Sequence, residues 1–239
     1  MHPVHQSPSA YFLPEYSSPI GNWHGHMPFA YDLVHSLRPC LIVELGTHYG
    51  DSYFTFCQAV KDAGLPTRCF AVDHWYGDDC CGRYGAEVYE YVSHYNKSFE
   101  SFSQLSRMPF NDALKTFDDG SISILHIDGN HEYDSVKGDF YAWLPKVSTG
   151  GFILMHDIVI KRENFGVSKF WKEIRSEFPS FAFHHSCGLG VLVNMPGSKE
   201  AIQLGDLLLS EGDQQLYNHY LFHALRVMQF NSVRRCNQS

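Results

Sequence analysis

Two groupings of acid and histidine have a spacing that can do chemistry. They are Asp128-x-x-His131 within "HIDGNH" and the adjacent pair His156-Asp157 within "ILMHDI". Each follows an apolar run that reads as a buried strand. If those strands are neighbours, the carboxyl groups of Asp128 and Asp157 can share a cation ligated by oxygen, and hard oxygen donors with open water positions suit Mg²⁺. His131 stands three residues past Asp128, at a helix start, where its imidazole can face the same place. A cation lowers the pKa of a coordinated hydroxyl, and a nearby imidazole can take the proton. A third grouping lies earlier. "VELGTHYGDS" (43–52) sets Glu44 ahead of a glycine turn spaced Gly46-x-x-x-Gly50, and "RCFAVD" (68–73) ends in Asp73. An acid in that last position accepts ribose hydroxyls in nucleotide folds.

These residues need a scaffold that brings strand ends together. The apolar runs 40–45, 68–73, 121–128 and 152–157 read as strands buried on both faces, with 102–106 as a further short one. Helical spacing is expected over 29–37, 51–62, 86–95, 111–117 and 167–178, and it places Tyr133, Val136, Phe140, Trp143 and Leu144 on one stripe. "FAFHHS" and "GVLVNM" read as an antiparallel hairpin. Strand and helix alternate five times, which implies an α/β fold with a mostly parallel sheet, right-handed crossovers and an antiparallel edge. Ligands of such sheets bind beyond the carboxyl ends of the strands. Glu44, Asp73, Asp128 and Asp157 are therefore expected on one rim. Residues 1–22 read as an irregular arm, 23–197 as the main domain, and 198–239 as a helical extension with its helix over roughly 199–230.

Composition narrows the partners. The 239 residues are 44% hydrophobic and 18% charged, with a formal net charge of −8. That balance argues against a nucleic-acid partner. No apolar run reaches the ~18 residues of a membrane span. The N-terminus does not read as a secretory signal. The 7 cysteines are odd in number and scattered apart from Cys80-Cys81, so reduced thiols in a cytoplasmic setting are the simplest reading.

A dinucleotide would want G-x-G-x-x-G and a diphosphate on the helix N-terminus. Glu44 would repel that diphosphate and favour a ligand with positive charge. A ribonucleoside with no phosphate and a cationic end, S-adenosylmethionine, fits the turn and Asp73 together. With "WHGHMPFAYDLVHSLRP" (23–39), "AVDHWYGD" (71–78), "HIDGNH…HD", "FGVSKFWKEI" (165–174) and "GLGVLV" (188–193), the sequence resembles the class I S-adenosylmethionine-dependent methyltransferases up to about residue 195. It is similar to the methyltransferase domains found with bacterial glycosyltransferases in surface-polysaccharide synthesis. More distantly it resembles the metal-dependent sugar O-methyltransferases of macrolide biosynthesis and catechol O-methyltransferase.

The resemblance implies a Rossmann-like, seven-stranded sheet. It implies transfer of a methyl group to a sugar hydroxyl of a glycan or glycosylated metabolite, with a glycosyltransferase as a possible partner. It puts Glu44, Gly46, Thr47, Gly50 and Ser52 around the methionine part of the cofactor, Asp73 on the ribose, and Ser106 to Met108 near the adenine. It makes Asp128 a metal ligand and His131 the base, and it folds Trp23, His24 and His26 over the cofactor or acceptor. The relatives carry two acids after the fifth strand. Here His156-Asp157 stands in that place, so an imidazole joins Asp128 and Asp157 in the implied metal set.

Plainer readings compete. Asp128 and Asp157 can cap the helix and turn that follow. His126, inside a strand, reads as a core histidine with one hydrogen-bond partner. His184-His185 lack a third ligand. A non-catalytic cofactor-binding module beside a glycosyltransferase is the alternative function.

Overall fold

The computed structural model of the chain describes residues 7–78, 82–198, 202–204, 207–209 and 213–236. Cys80 and Cys81 lie outside the described residues. One sheet holds seven strands: β1 (Leu41–Leu45), β2 (Arg68–Asp73), β3 (Ser103–Arg107), β4 (Ile122–Ile127), β5 (Val147–His156), β6 (Ser180–Phe183) and β7 (Leu189–Val193). Their spatial order is β3-β2-β1-β4-β5-β7-β6. The first five are parallel, and β7 inserts antiparallel between β5 and the edge strand β6. This is the Rossmann-like methyltransferase arrangement expected from the sequence. The order reverses between β1 and β4, and that switch point opens a crevice at the strand ends.

Side chains alternate between the two faces, as pleating requires. On one face Ile42, Ile124 and Leu154 pack against α1 (Met27–Leu37), α2 (Asp51–Asp62), α3 (Ala86–Asn96) and α7 (Gln214–Cys236), through Leu33, Phe56, Val92 and Tyr220 among others. On the other, Val43, Leu45, Leu125 and Ile153 pack against α4 (Phe110–Ala113), α5 (Tyr133–Trp143) and α6 (Val167–Ile174), through Ala113, Phe140, Trp143 and Phe170. The predicted stripe of α5 is this core face: Val136, Phe140 and Trp143 are buried.

Three expectations need correction. The fifth strand does not start with the apolar run at residue 152: β5 begins at Val147, so Gly150-Gly151 lies within it. Gly150 has φ 76 and donates its N–H to the Asn194 carbonyl at 3.0 Å. The pairing with β4 slips between Ile122 and Ile124, so the glycines form a bulge rather than a turn. The region after residue 198 is not one helical stretch: Ile202–Leu204 and Leu207–Leu209 pair as a short antiparallel hairpin before α7. Ile202 and Leu204 alternate with an exposed Gln203, a period of two that a helix reading overlooks. Helix α6 stops at Ile174, short of Phe178.

The arm is no loose tail. Asp32 of α1, 1% exposed, accepts the backbone N–H and hydroxyl of Ser9, both at 2.7 Å, and the hydroxyl of Tyr220 at 3.1 Å. Arg226 of α7 donates to the carbonyls of Ser9, Ala10 and Phe12. One buried carboxyl and one guanidinium thus tie the arm to the first and last helices. Asp32→Ala leaves a buried N–H and two hydroxyls without their acceptor, and should cost about 1–3 kcal/mol, read as a lower urea midpoint at unchanged slope.

Candidate active site

The turn after β1 is built by backbone demands that glycine meets. Gly46 has φ 84, donates to the Val72 carbonyl at 2.9 Å, and packs so closely on β4 that a Cβ would collide with the Asp128 carbonyl. Gly50 has φ 87 and caps α2. Asp73 clamps this turn: one carboxyl oxygen accepts the N–H groups of Thr47 and His48, both at 2.9 Å, and the other accepts that of Trp75 at 2.7 Å. The Thr47 hydroxyl is buried without a hydrogen-bond partner beside the cavity described below, a polar atom open to a ligand.

Asp128 follows β4 and Asp157 follows β5. The strands are adjacent, so the two carboxyl groups meet. Asp157 adopts the left-handed conformation, φ 64, which Asp tolerates better than most residues. His131 Nε2 lies 2.9 Å from Asp157 and 3.8 Å from Asp128. Ligand atoms of Asp128, His131 and Asp157 all fall within 4.8 Å of one another. His156 Nδ1 sits 3.4 Å from Asp128 and 3.5 Å from Asp157. Its Nε2–H donates to the Ser186 carbonyl at 3.1 Å, which leaves Nδ1 turned to the carboxyl groups. That is the pattern of a metal-ligating histidine, whose far nitrogen is held by a carbonyl.

Charges here are strongly coupled. Burial alone would lower the pKa of His156, but Asp128 and then Asp157 raise it well above the usual imidazole range. Burial would raise Asp128, yet His156 and His131 hold it far below the carboxylate range. Asp157 follows the same pattern: burial raises it, and the hydrogen bonds from His131 and His156 lower it further. Two carboxyl groups and two imidazoles therefore form a compact coupled set, stacked on one side by Phe165, whose ring centroid lies 4.5 Å from that of His131.

A cavity of about 630 Å³ joins the turn to this cluster. That is ample for one nucleoside-sized cofactor and a small acceptor. Its wall includes Gly46, Thr47, Gly50, Ser52 and Asp73 from the turn and β2, and Asp128, His131, His156 and Asp157 from the cluster. Three sequence-derived candidates fall elsewhere. Glu44 is fully buried and absent from the wall: one residue short of the strand end, its side chain points into the α1–α2 layer, where it meets His126. Ser106 lies in β3, and Met108 packs into the core on the α4–α6 side. The wall in that region is Pro109, Phe110 and Asn111 instead. His126 has two partners rather than one: Glu44 at 2.8 Å and the Trp23 indole at 3.3 Å.

Other wall residues carried no signal in the sequence reading. Asp134, Ser135, Gly138 and Asp139 form the polar face of α5. Burial pushes the Asp139 carboxyl up to about 6. Ser18, Ile20 and Asn22 of the arm also line the cavity, beside Trp23, which the resemblance placed over the cofactor or acceptor. Asp51, at the start of α2, pins this segment: it accepts the N–H and hydroxyl of Ser18 at 2.7 and 2.6 Å and lies 3.2 Å from His24.

No helix among the described residues is long and apolar enough to cross a membrane. The chain is 47% identical over 179 residues to an uncharacterized protein of Sinorhizobium fredii, a match covering 75% of this chain and 20% of that one. It thus spans about a fifth of that relative's length. Among solved structures it is similar to a putative caffeoyl-CoA O-methyltransferase from Staphylococcus aureus, with TM-score 0.55, 12% identity, and 76% and 85% of the two chains covered. It is also similar to the O-methyltransferase TomG of tomaymycin synthesis from Streptomyces achromogenes, solved in complex with S-adenosylmethionine, with TM-score 0.54, 14% identity, and 77% and 93% covered. At such identities these likenesses speak for the fold. Residues 43–158 match the model of a methyltransferase-domain family, and the solved structures share the Rossmann-like methyltransferase fold of this chain.

Proposed function

We propose that the chain is an S-adenosylmethionine-dependent O-methyltransferase that acts on a sugar hydroxyl with the help of a divalent cation. The observation that carries this reading is a single cavity whose wall includes the glycine turn and Asp73 together with Asp128, His131, His156 and Asp157. Gly46, Thr47, Gly50 and Ser52 hold the methionine part of the cofactor, and Asp73 faces the ribose. The same Asp73 already braces the turn, so it orders the site before the cofactor arrives.

The donor set fits a cation: Asp128, Asp157 and the Nδ1 atom of His156 converge, and Ser186 fixes the histidine tautomer. Mixed oxygen and nitrogen donors also admit ions softer than Mg²⁺. Held by these residues, a cation would supply a lowered pKa for the acceptor hydroxyl. His131 takes the hydroxyl proton, and Asp157, 2.9 Å from its Nε2, orients the imidazole and offsets the charge it gains. The cofactor supplies an electrophile already activated by its sulfonium charge, so the protein's task is to produce and aim the nucleophile. The arm excludes water from the methionine end.

A glycosyltransferase partner belongs to the same reading and rests on the sequence resemblance, and a cytoplasmic setting rests on the odd, scattered cysteines. Saturable cofactor binding without turnover on any glycan acceptor would favour the non-catalytic module instead.

Asp128→Ala and His131→Ala should each lower kcat by about a hundredfold or more while changing the cofactor Kd by less than about threefold. Equal losses in binding and turnover would move these residues out of the chemistry. Cation affinity should rise with pH. His156 has a raised pKa in the folded apo chain, so below it a proton must leave Nδ1 before a cation can bind. Calorimetric titrations with Mg²⁺ and Mn²⁺ in buffers of different ionisation enthalpy should show proton release, and a pH-independent affinity would remove His156 from the ligand set.

A further inference from the structure

Glu44 and His126 are fully buried titratable residues with no part in the chemistry above. They face each other across β1 and β4, where the register pairs them directly. Their hydrogen bonds fix a tautomer. The Trp23 indole N–H can only donate, so the His126 Nε2 atom at 3.3 Å is an acceptor. The proton of His126 is therefore on Nδ1, donated to Glu44 at 2.8 Å. Donation runs one way, from indole to imidazole to core carboxylate. A buried polar pair of this kind gains little stability over an apolar pair of equal volume. Its effect here is to fix the edge of one aromatic ring.

That ring is part of the cavity wall. Trp23 lines it together with Gly46, Thr47, Asp51, Asp128 and His156. Its ring centroid lies 6.4 Å from that of His156 and 6.0 Å from that of Phe56. The indole is 4% exposed, and the chain on either side of it is pinned to Asp51 through Ser18 and His24. Trp23 thus lines the same cavity as the turn that would hold the methionine part and the cluster that would activate the acceptor. Tryptophan is also the aromatic residue that best attracts a cation to its face.

We propose that Trp23 is the wall that favours the positively charged sulfonium of S-adenosylmethionine over the neutral thioether of S-adenosylhomocysteine, with Glu44 and His126 as positioning residues that hold the indole in place. The inference rests on the cofactor reading above. It gives the site a means of releasing product: the ligand loses its charge on methyl transfer, and with it the attraction of the ring.

The test is the ratio of the dissociation constants for S-adenosylhomocysteine and S-adenosylmethionine, measured by calorimetry on the full chain. Trp23→Leu should lower this ratio by roughly three- to thirtyfold, the range of a partly to fully desolvated cation–π contact. Trp23→Phe keeps a ring and should retain much of the ratio. His126→Leu and Glu44→Leu should lower it as Trp23→Leu does. Glu44→Gln still accepts the Nδ1 proton and should preserve it. A Trp23→Leu chain that binds both ligands with the ratio unchanged, or more weakly by one common factor, overturns the proposal. If Trp23→Leu does not fold, the unmodified chain decides: S-adenosylmethionine should quench tryptophan emission more than S-adenosylhomocysteine at saturation, and equal quenching overturns the proposal. An unmodified chain that binds neither ligand overturns the cofactor reading, and this inference with it.

Discussion

Two carboxylates on the ends of neighbouring parallel strands repel each other unless positive charge stands between them. Asp128 and Asp157 are such a pair, and the surrounding structure meets that requirement. The sheet order makes β4 and β5 adjacent. The left-handed turn at Asp157 brings its carboxyl back to 2.9 Å from His131. A second turn, Ser186-Cys187-Gly188, has positive φ throughout and presents the Ser186 carbonyl to His156, so the facing nitrogen of that imidazole can only look toward the acids. His156 Nδ1 stands 3.4 and 3.5 Å from the two acids, which raise its pKa above the usual imidazole range against the effect of burial.

The sheet was legible because its inner strands are buried on both faces and read as unbroken apolar runs. Asp73, Asp128 and Asp157 were legible for a related reason: each stands at the boundary where such a run stops. Glu44 looked alike in sequence but sits one residue inside its strand, and strand geometry turns alternate residues to opposite faces. The rim and the core differ there by a single position. Met108 failed similarly, since its side chain packs inward and the wall passes to the three residues after it.

What stayed hidden depends on contacts distant in sequence. The polar face of α5, with Asp134 and Asp139, reads as an ordinary solvated face. Only the tertiary arrangement sets it against Phe110 and Asn111. The arm gave little periodicity, and its place over the cavity is decided by Asp51 and Asp32, acids that look like surface residues of two helices. The bulge at Gly150 likewise depends on a carbonyl from Asn194.

The anchoring of the arm by α7 bears on the order in which a nascent chain can become competent. Every strand of the central sheet is complete by Val193, and the acid–histidine cluster with it. Asp32, Ser9 and Tyr220 come together only when the last helix has emerged, as do the arm carbonyls held by Arg226. A ribosome-bound chain can thus assemble the reactive cluster while the ceiling above it still lacks its final support. Among the described residues, α7 (Gln214–Cys236) is thus the element that fastens the arm from outside the sheet.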